Sequence, residues 1–349
     1  MIINESYQTY IYDVGGTFLR SAKWVPHKGP VNVMKEASPS FLMYPSDDVI
    51  NLKDKLLESI VRKLPIYHNG LTASISLGAA LNHHTGEVYG AAPLWGACQV
   101  NFKLLDELHS LRPDVLWMIM NDVTAMAIHL SIQPVCQNIR KVMLITVSSG
   151  IACRIFETLP FRVNFDISGL QGEIGHLPGG GTPFSLNCDC GESDHIAAYA
   201  SGRGIRNVYD HMYRRIYQKE PNYVNFENEF KLGLENNDYF CSNVLDTAMK
   251  PLADLITSAL VIDPSIEMVA LSGGVVDSLS NYIKNSLLSR ILKSGPYITA
   301  LKEPRMIEDL LYICPPNTAS GLWGAGIATT FPNNSWFLKC IPQKEPSNE

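Results

Sequence analysis

An acid at the end of a strand is where the chemistry of this chain starts. Asn121-Asp122 follows the apolar run Val115–Met120, at the point where a strand gives way to a helix. In open α/β sheets the C-terminal ends of strands are the favoured place for ligands. A carboxylate there can orient an acceptor hydroxyl and take its proton, which is what phosphoryl transfer asks of a base. Asn121 can bond a second hydroxyl of the same acceptor. The competing reading makes Asp122 a helix cap and nothing more.

Three strand-to-glycine junctions offer phosphate contacts. Asp13-Val14-Gly15-Gly16-Thr17 ends an apolar and aromatic run. Gly15 and Gly16 allow a tight turn and close approach to a ligand. Amides exposed in this way cradle phosphate oxygens, and Thr17 adds a hydroxyl. Asp13 is suited to hold Mg²⁺, directly or through water. The same residues also spell a β-hairpin turn. Ser148-Ser149-Gly150 follows a second predicted strand, and Ser272-Gly273-Gly274 follows a third and opens a helix. None of the three is a P-loop or a dinucleotide fingerprint. Each alone is a common turn; three at the ends of predicted strands point to a nucleotide cleft.

His176, Cys188, Cys190 and His195 fall within 20 residues. Two imidazoles and two thiolates suit tetrahedral zinc, and four protein ligands make such a metal structural. The Gly- and Pro-rich stretch around them has little apolar content to order it, so a metal would supply the order. The alternative is two free thiols beside unrelated histidines. Glu173 precedes His176 by three residues, and a short helical turn puts both on one side. Zinc on His176 would then fix the element carrying Glu173, a candidate substrate-binding carboxylate. Otherwise Glu173 is a surface residue.

These residues need a scaffold. The chain has 349 residues, 46% of them hydrophobic, which is more than one core usually organises. Strand patterns at Tyr10–Val14, Phe18–Trp24, Leu71–Leu77, Val115–Met120, Lys141–Val147 and Ile266–Leu271 interleave with helical patterns. The helices are expected at Asp48–Leu64, Leu104–Leu111, Val123–Leu130, His195–Ile216, Val244–Leu260, Val276–Leu292 and near Trp323–Ala328. In Asp48–Leu64 the apolar positions recur with a period near 3.6. This succession predicts an α/β fold. The expected division is an N-terminal α/β domain over 1–122, a larger C-terminal α/β domain over 123–325 with the loop 176–195, and a tail over 326–349 packing back on the first. Lys219–Asn237 is polar and reads as a solvent-facing insertion. No short internal repeat appears, but two halves that each begin with a strand and a glycine turn are compatible with a duplicated architecture.

Net charge is -6, from 28 basic and 34 acidic residues, with no long basic run. That argues against a nucleic-acid partner. No segment reaches the roughly 18 apolar residues of a membrane span, and Met1–Thr9 lacks the order of a secretory signal. A cytoplasmic chain is expected. Cys98, Cys136, Cys153, Cys241, Cys314 and Cys340 are scattered, a poor basis for a disulfide framework.

Taken together the motifs resemble the ROK group of bacterial sugar kinases and sugar-responsive repressors, within the actin-like ATPase superfamily. The matching stretches are DVGGT at Asp13, ND at Asn121, SSGI at Ser148, GEIGH at Gly172, CDCG at Cys188, YASGR at Tyr199, IDPSIEMVALSGGV at Ile262 and SGLWGAG at Ser320. They cover nearly the whole chain in the expected order. The resemblance implies two ribonuclease-H-like domains around a central cleft that close on ATP, Mg²⁺ and a sugar. It implies Asp122 as general base, with Gly78, Asn121, Glu173 and His176 on the substrate. Asp13, Gly15, Gly16, Thr17, Ser148, Ser149 and Gly150 would face the phosphates, and Gly273 and Gly274 the adenosine end. It also implies a structural zinc and a homodimer.

The departures are informative. The family loop reads C-x-C-G-x-x-G-C, and here its last two positions are Asp194 and His195. A histidine still ligates zinc. Two residues further on, the family has a glutamate that contacts the sugar near its anomeric carbon; this chain has Ala197. Alanine accepts no hydrogen bond, and a buried unpaired hydroxyl costs about 1–3 kcal/mol. The usual P-G of the substrate loop is Gly78-Ala79, and its later aspartate is Asn82. The nucleotide side keeps its residue types while the substrate side is rebuilt. A cyclitol, with a carbocyclic ring and no hemiacetal centre, is therefore an expected acceptor, for example a seven-carbon cyclitol of the 2-epi-5-epi-valiolone type. Ordinary hexoses are the alternative. A non-catalytic sugar-sensing regulator is the rival class, but only 12 residues precede Asp13, too few for the helix-turn-helix domain of the family repressors.

Overall fold

Apolar residues run or alternate where strands form, and the computed structural model, which describes residues 8–66, 70–96, 101–330 and 338–340, gathers them into two compact units. The first comprises Met1–Gln137, Phe161–Gln171 and Asn317–Glu349; the second comprises Asn138–Pro160 and Gly172–Pro316.

In the first unit Gln8–Val14 pairs antiparallel with Phe18–Val25, which pairs with Gly29–Ala37. On its other side Gln8–Val14 runs parallel to Leu71–Leu77, and that strand parallel to Val115–Asn121. The strand Leu338–Cys340, the described part of the C-terminal tail, adds antiparallel to the edge. Leu52, Leu56, Leu57 and Ile60 of the helix Val49–Val61 are buried, packing into the same core as Tyr12, Ile75 and Trp117. Asp48 caps that helix by accepting the Asn51 N–H at 2.8 Å.

The second unit repeats the plan. Lys141–Val147 pairs antiparallel with Ile151–Thr158 on one side and parallel with Met268–Ser272 on the other, which continues parallel to Leu311–Ile313. Helices Tyr239–Ile262 and Gly274–Ser294 cover it. The expected α/β class is present in both units, and the shared strand plan fits a duplicated architecture. Among the described residues no helix is long and apolar enough to cross a membrane. Cys136, Cys153, Cys188, Cys190, Cys241 and Cys314 are free thiols; Cys98 lies outside the described residues.

Three features differ from the sequence expectations. The first unit extends past residue 122 to Gln137 and resumes at Asn317, because the helices Asp122–Ser131 and Gly321–Ala328 pack on each other. The polar stretch 219–237 is not all open insertion: Phe226–Glu235 is a helix, with Asn225 as its cap and Phe230 and Leu234 buried. The helix expected over His195–Ile216 is two helices, Ile196–Ala200 and Gly202–Tyr217, broken at Ser201, whose Oγ caps the second by accepting the Gly204 N–H at 3.0 Å.

The contact between Asp122–Ser131 and Gly321–Ala328 is made by bare backbone. A Cβ on Gly324 would lie 1.7 Å from the Ala125 carbonyl oxygen. His129 closes the far end: its Nδ1 accepts the Ser320 N–H at 3.1 Å, and its ring stacks on Trp323 with centroids 5.3 Å apart and planes 8° from parallel. The side chain is 5% exposed, and burial pushes the imidazole pKa down to about 4. A ring that accepts at Nδ1 carries its proton on Nε2. The unfolded histidine takes up a proton below pH ~6.5, whereas the folded one resists until about 4. This residue therefore subtracts stability as pH falls through that window. NMR should find the His129 ring neutral, with its proton on Nε2, at pH about 5.5; a ring titrating near its ordinary value would contradict the packing.

Candidate active site

Register decides which residues share an edge in the first unit. Val14 pairs with Leu77, and Leu77 with Asn121, so the three parallel strands end together. Gly15, Gly78 and Asp122 follow at that one edge. The Gly78 N–H donates to the Val14 carbonyl at 2.8 Å. A Cβ on Gly78 would sit 3.2 Å from both the Asp122 Oδ2 and the Val14 oxygen. The half-buried Asp122 carboxylate thus rests against bare backbone beside the Asp13–Thr17 turn, and its Oδ1 accepts the Val123 N–H at 2.8 Å.

The Asn121-Asp122 pair divides its labour. Asn121 caps the helix, its Oδ1 accepting from Val123 and Thr124 N–H at 2.9 and 3.4 Å. Its Nδ2 donates to the Ala79 carbonyl at 2.8 Å, leaving one amide hydrogen for a ligand. The capping role weighed for Asp122 falls mainly to its neighbour. The Gly15–Thr17 segment is a hairpin turn closed by the Gly15 N–H on the Phe18 carbonyl at 3.1 Å, with Gly16 buried and Thr17 exposed at the tip. Asp13 has both oxygens occupied: Ser76 Oγ donates to Oδ1 at 2.9 Å and Arg20 to Oδ2 at 3.0 Å. A carboxylate keeps further lone pairs after two such bonds, so Asp13 still fits a water-mediated contact to Mg²⁺. Asn82 is buried and organises its own turn, accepting from His84 and Thr85 N–H and donating to the Tyr89 hydroxyl.

In the second unit the same logic aligns two more junctions. Ser272 pairs with Thr146 in parallel register, so Ser148–Gly150 and Gly273–Gly274 emerge at one edge. Ser149 is exposed in a loop closed by the Ser148 N–H on the Gly150 carbonyl at 2.9 Å. Gly273 has φ 108° and opens the helix Gly274–Ser294; a Cβ there would lie 2.6 Å from the Val147 carbonyl. That backbone is strained for any other residue. Around Gly274 there is open space, at the N-terminus of a long helix that favours negative charge.

The GEIGH segment is pinned to the strand Ile151–Thr158. Cys153 N–H donates to the Gly172 carbonyl at 2.7 Å. Glu173 then opens a short 3₁₀ turn, Ile174–His176. Its Oε1 is buried with no hydrogen-bond partner among the described residues. Burial pushes its pKa upward, opposed by the Arg154 guanidinium. Arg154 is 2% exposed, and its Nη1 donates to the Cys153 carbonyl at 2.7 Å.

His176, Cys188, Cys190 and His195 converge, and their four ligand atoms all lie within 4.8 Å of one another. A zinc tetrahedron with Zn–N and Zn–S of about 2.0 and 2.3 Å has ligand atoms roughly 3.3–3.8 Å apart, so a small contraction closes the site. Cys190 Sγ and His195 Nδ1 are already 3.2 Å apart. Burial, and His195 alongside, hold the His176 imidazole toward its neutral, ligating form. Burial pushes the Cys188 thiol up to about 11, and a metal would take the place of that proton. The donor set fits zinc.

The loop's departures from the family pattern have a visible compensation. Asp194 adopts φ 60°, the left-handed region where glycine is easiest and aspartate is among the tolerated residues. Its carboxylate accepts from Ser185 Oγ at 2.9 Å, Leu186 N–H at 3.0 Å and the Tyr199 hydroxyl at 2.5 Å. Arg203 pairs with Asp189 at 2.7 Å and ties the CDCG turn to the helix Gly202–Tyr217. Sequence reasoning missed Ser76 and Arg20 on Asp13, which carry no local signal. It also missed Arg154, whose signal is a charge inside the apolar strand IACRIFET.

Metal analysis of the purified protein should find about one zinc per chain, as four-ligand structural sites hold. Cys188→Ala should lose most of it. Unchanged zinc content in that variant would refute the ligand set.

Known proteins resemble this chain in sequence and in fold. The ROK family pattern matches residues 52–302. A 2-epi-5-epi-valiolone 7-kinase of Actinoplanes sp. is 36% identical over 335 residues, covering 91% of each chain. A C(7)-cyclitol 7-kinase of Streptomyces hygroscopicus subsp. limoneus is 28% identical over 204 residues, 56% of this chain and 55% of that one. A ROK family glucokinase from Streptomyces griseus, solved with glucose and AMPPNP, superposes with a TM-score of 0.68 at 15% identity, over 91% of this chain and 98% of that one; this likeness shows the fold. The chain belongs to the ROK family.

Proposed function

We propose that this ATP- and Mg²⁺-dependent kinase phosphorylates the primary hydroxyl of a seven-carbon cyclitol, with Asp122 as the general base. The observation that carries the base assignment is the Asp122 carboxylate lying against Gly78, beside the Asp13–Thr17 turn, at one strand edge. The acceptor hydroxyl donates to Asp122. Its oxygen then bonds the γ-phosphorus, Asp122 takes the proton, and the electron pair of the breaking β–γ bridge leaves with ADP. Asp13 would hold Mg²⁺ through water, where the ion would neutralise charge on the phosphate oxygens. The side-chain-free turn at Gly15 and Gly16, the hydroxyls of Thr17, Ser148 and Ser149, and the turns at Gly150, Gly273 and Gly274 serve the nucleotide.

Two points support a cyclitol as the acceptor, and a third supports a ring hydroxyl on Glu173. The relative with 36% identity over nearly its whole length is named for a valiolone 7-kinase activity. Ala197 offers no acceptor where the family glutamate meets the sugar near its anomeric carbon, and a carbocycle has no such centre. Among the described residues Glu173 keeps a buried oxygen without a donor, and buried polar atoms seldom stay unpaired. A ring hydroxyl supplies the missing partner of Glu173; Gly78, Asn121 and His176 are the other proposed substrate contacts. His176, Cys188, Cys190 and His195 would hold zinc, which would fix the turn that carries Glu173. The reading includes a homodimer, which light scattering of the purified chain would test.

A coupled phosphorylation assay across cyclitols, hexoses and amino sugars should give the highest kcat/KM with a seven-carbon cyclitol, with the product phosphate on the primary carbon by NMR. Faster turnover of glucose would sink the substrate assignment. Asp122→Asn should lose kcat by about 10²–10⁴-fold while acceptor binding by calorimetry persists; near-normal turnover would remove the base role. Gly78→Ala, whose methyl presses on the Asp122 Oδ2, should lower kcat about ten-fold with a smaller change in KM. An unchanged kcat would mean that the carboxylate does not depend on that contact.

A further inference from the structure

We propose that His129 is a positioning residue for phosphoryl transfer: by accepting the Ser320 N–H it fixes the helix Gly321–Ala328 against both the strand that carries Asp13 and the helix that opens with Asp122. The inference rests on the reading of Asp122 as the base and adds a residue that touches neither substrate.

The helix Gly321–Ala328 is closely packed on its neighbours. At its first residue, a Cβ on Gly321 would lie 2.4 Å from Asp13 Oδ1 and 2.5 Å from Ser76 Oγ. One turn on, Gly324 lies on the Ala125 carbonyl, within the first turn of the helix that begins at Asp122. Between them Trp323 is clasped: His129 stacks on it, Trp24 meets it edge-on with centroids 5.7 Å apart, and a Cβ on Gly29 would run into its ring at 2.2 Å. Residues three apart share a helix face, so Gly321 and Gly324 place one rigid edge against the Asp13 and Asp122 elements at once.

Packing sets how far this helix stands from its neighbours. Its register along its own axis needs a directional bond, and the His129 Nδ1 bond to Ser320 is one. Ser320 is the cap residue, and its own N–H has no place in the intrahelical ladder. Without His129 that part-buried donor loses its partner, and the cap is free to slide toward another. Because Gly321 abuts the Asp13 side chain and Gly324 abuts the Asp122 helix, a slide turns the carboxylates on backbones that strand register holds in place. Misplacement by about 1 Å at a reacting centre can cost 10²-fold in rate.

Two substitutions separate the ring from the bond. His129→Phe keeps a flat ring on Trp323 and removes the acceptor. His129→Asn places an amide oxygen near the former Nδ1 and removes the ring. We expect His129→Phe to lower kcat by about 10- to 100-fold with the acceptor KM within about two-fold of wild type, and His129→Asn to recover kcat to within about five-fold. Hydrogen exchange should show the Ser320 amide protected in the wild type and in His129→Asn. Wild-type kcat in His129→Phe would overturn the proposal, as would equal losses in both variants. Should His129→Phe fail to fold, an unprotected Ser320 amide in the wild type would overturn it alone. Failure of the base reading is distinguishable, since it shows as near-normal turnover in Asp122→Asn whatever the His129 variants do.

Discussion

The candidate site hangs on parallel strand register. Hydrogen bonding across Gln8–Val14, Leu71–Leu77 and Val115–Asn121 brings their C-terminal ends level. Each strand is followed by a residue that suits the edge: two glycines in a hairpin, one glycine without a side chain, and one carboxylate. A one-residue slip would turn every buried side chain of a strand to its other face. The alignment that seats Asp122 beside Gly78 is therefore enforced by the same apolar packing that builds the core. The second unit applies the constraint again, bringing Ser148–Gly150 and Gly273–Gly274 to one edge through the pairing of Ser272 with Thr146.

Much of this was legible because the signals are local. The apolar runs at Leu71–Leu77 and Lys141–Val147 form strands with the expected bounds. The acid after Val115–Asn121 stands at a strand end because an apolar run stops there. The spacing of Cys188 and Cys190 with flanking histidines foretold a cluster, and four ligand atoms do converge. The hidden parts depend on contacts distant in sequence. That Asn121 rather than Asp122 does most of the capping turns on the tether from Nδ2 to the Ala79 carbonyl. The helix Phe226–Glu235 was masked by polar composition, although Phe230 and Leu234 stand one turn apart on its buried side. The strand Gly29–Ala37 escaped notice because it is an edge strand with mostly exposed or half-exposed residues.

The loop 176–195 shows how a pattern can change its letters and keep its physics. Glycine is the easiest residue at a left-handed position, but Asp194 holds one by accepting three hydrogen bonds. Histidine in place of the last cysteine still brings a nitrogen to within 3.2 Å of Cys190 Sγ. Ala197 has no comparable substitute on its own side chain. On the proposed reading, that difference fits an acceptor without an anomeric centre.

The most direct test is a crystal structure of the chain with a non-hydrolysable ATP analogue and a seven-carbon cyclitol. The account predicts an Asp122 carboxylate oxygen within about 2.6–3.2 Å of the acceptor's primary hydroxyl, with that hydroxyl in line with the terminal phosphorus. A bound acceptor whose primary hydroxyl meets some other base, with Asp122 turned away from it, would contradict the account.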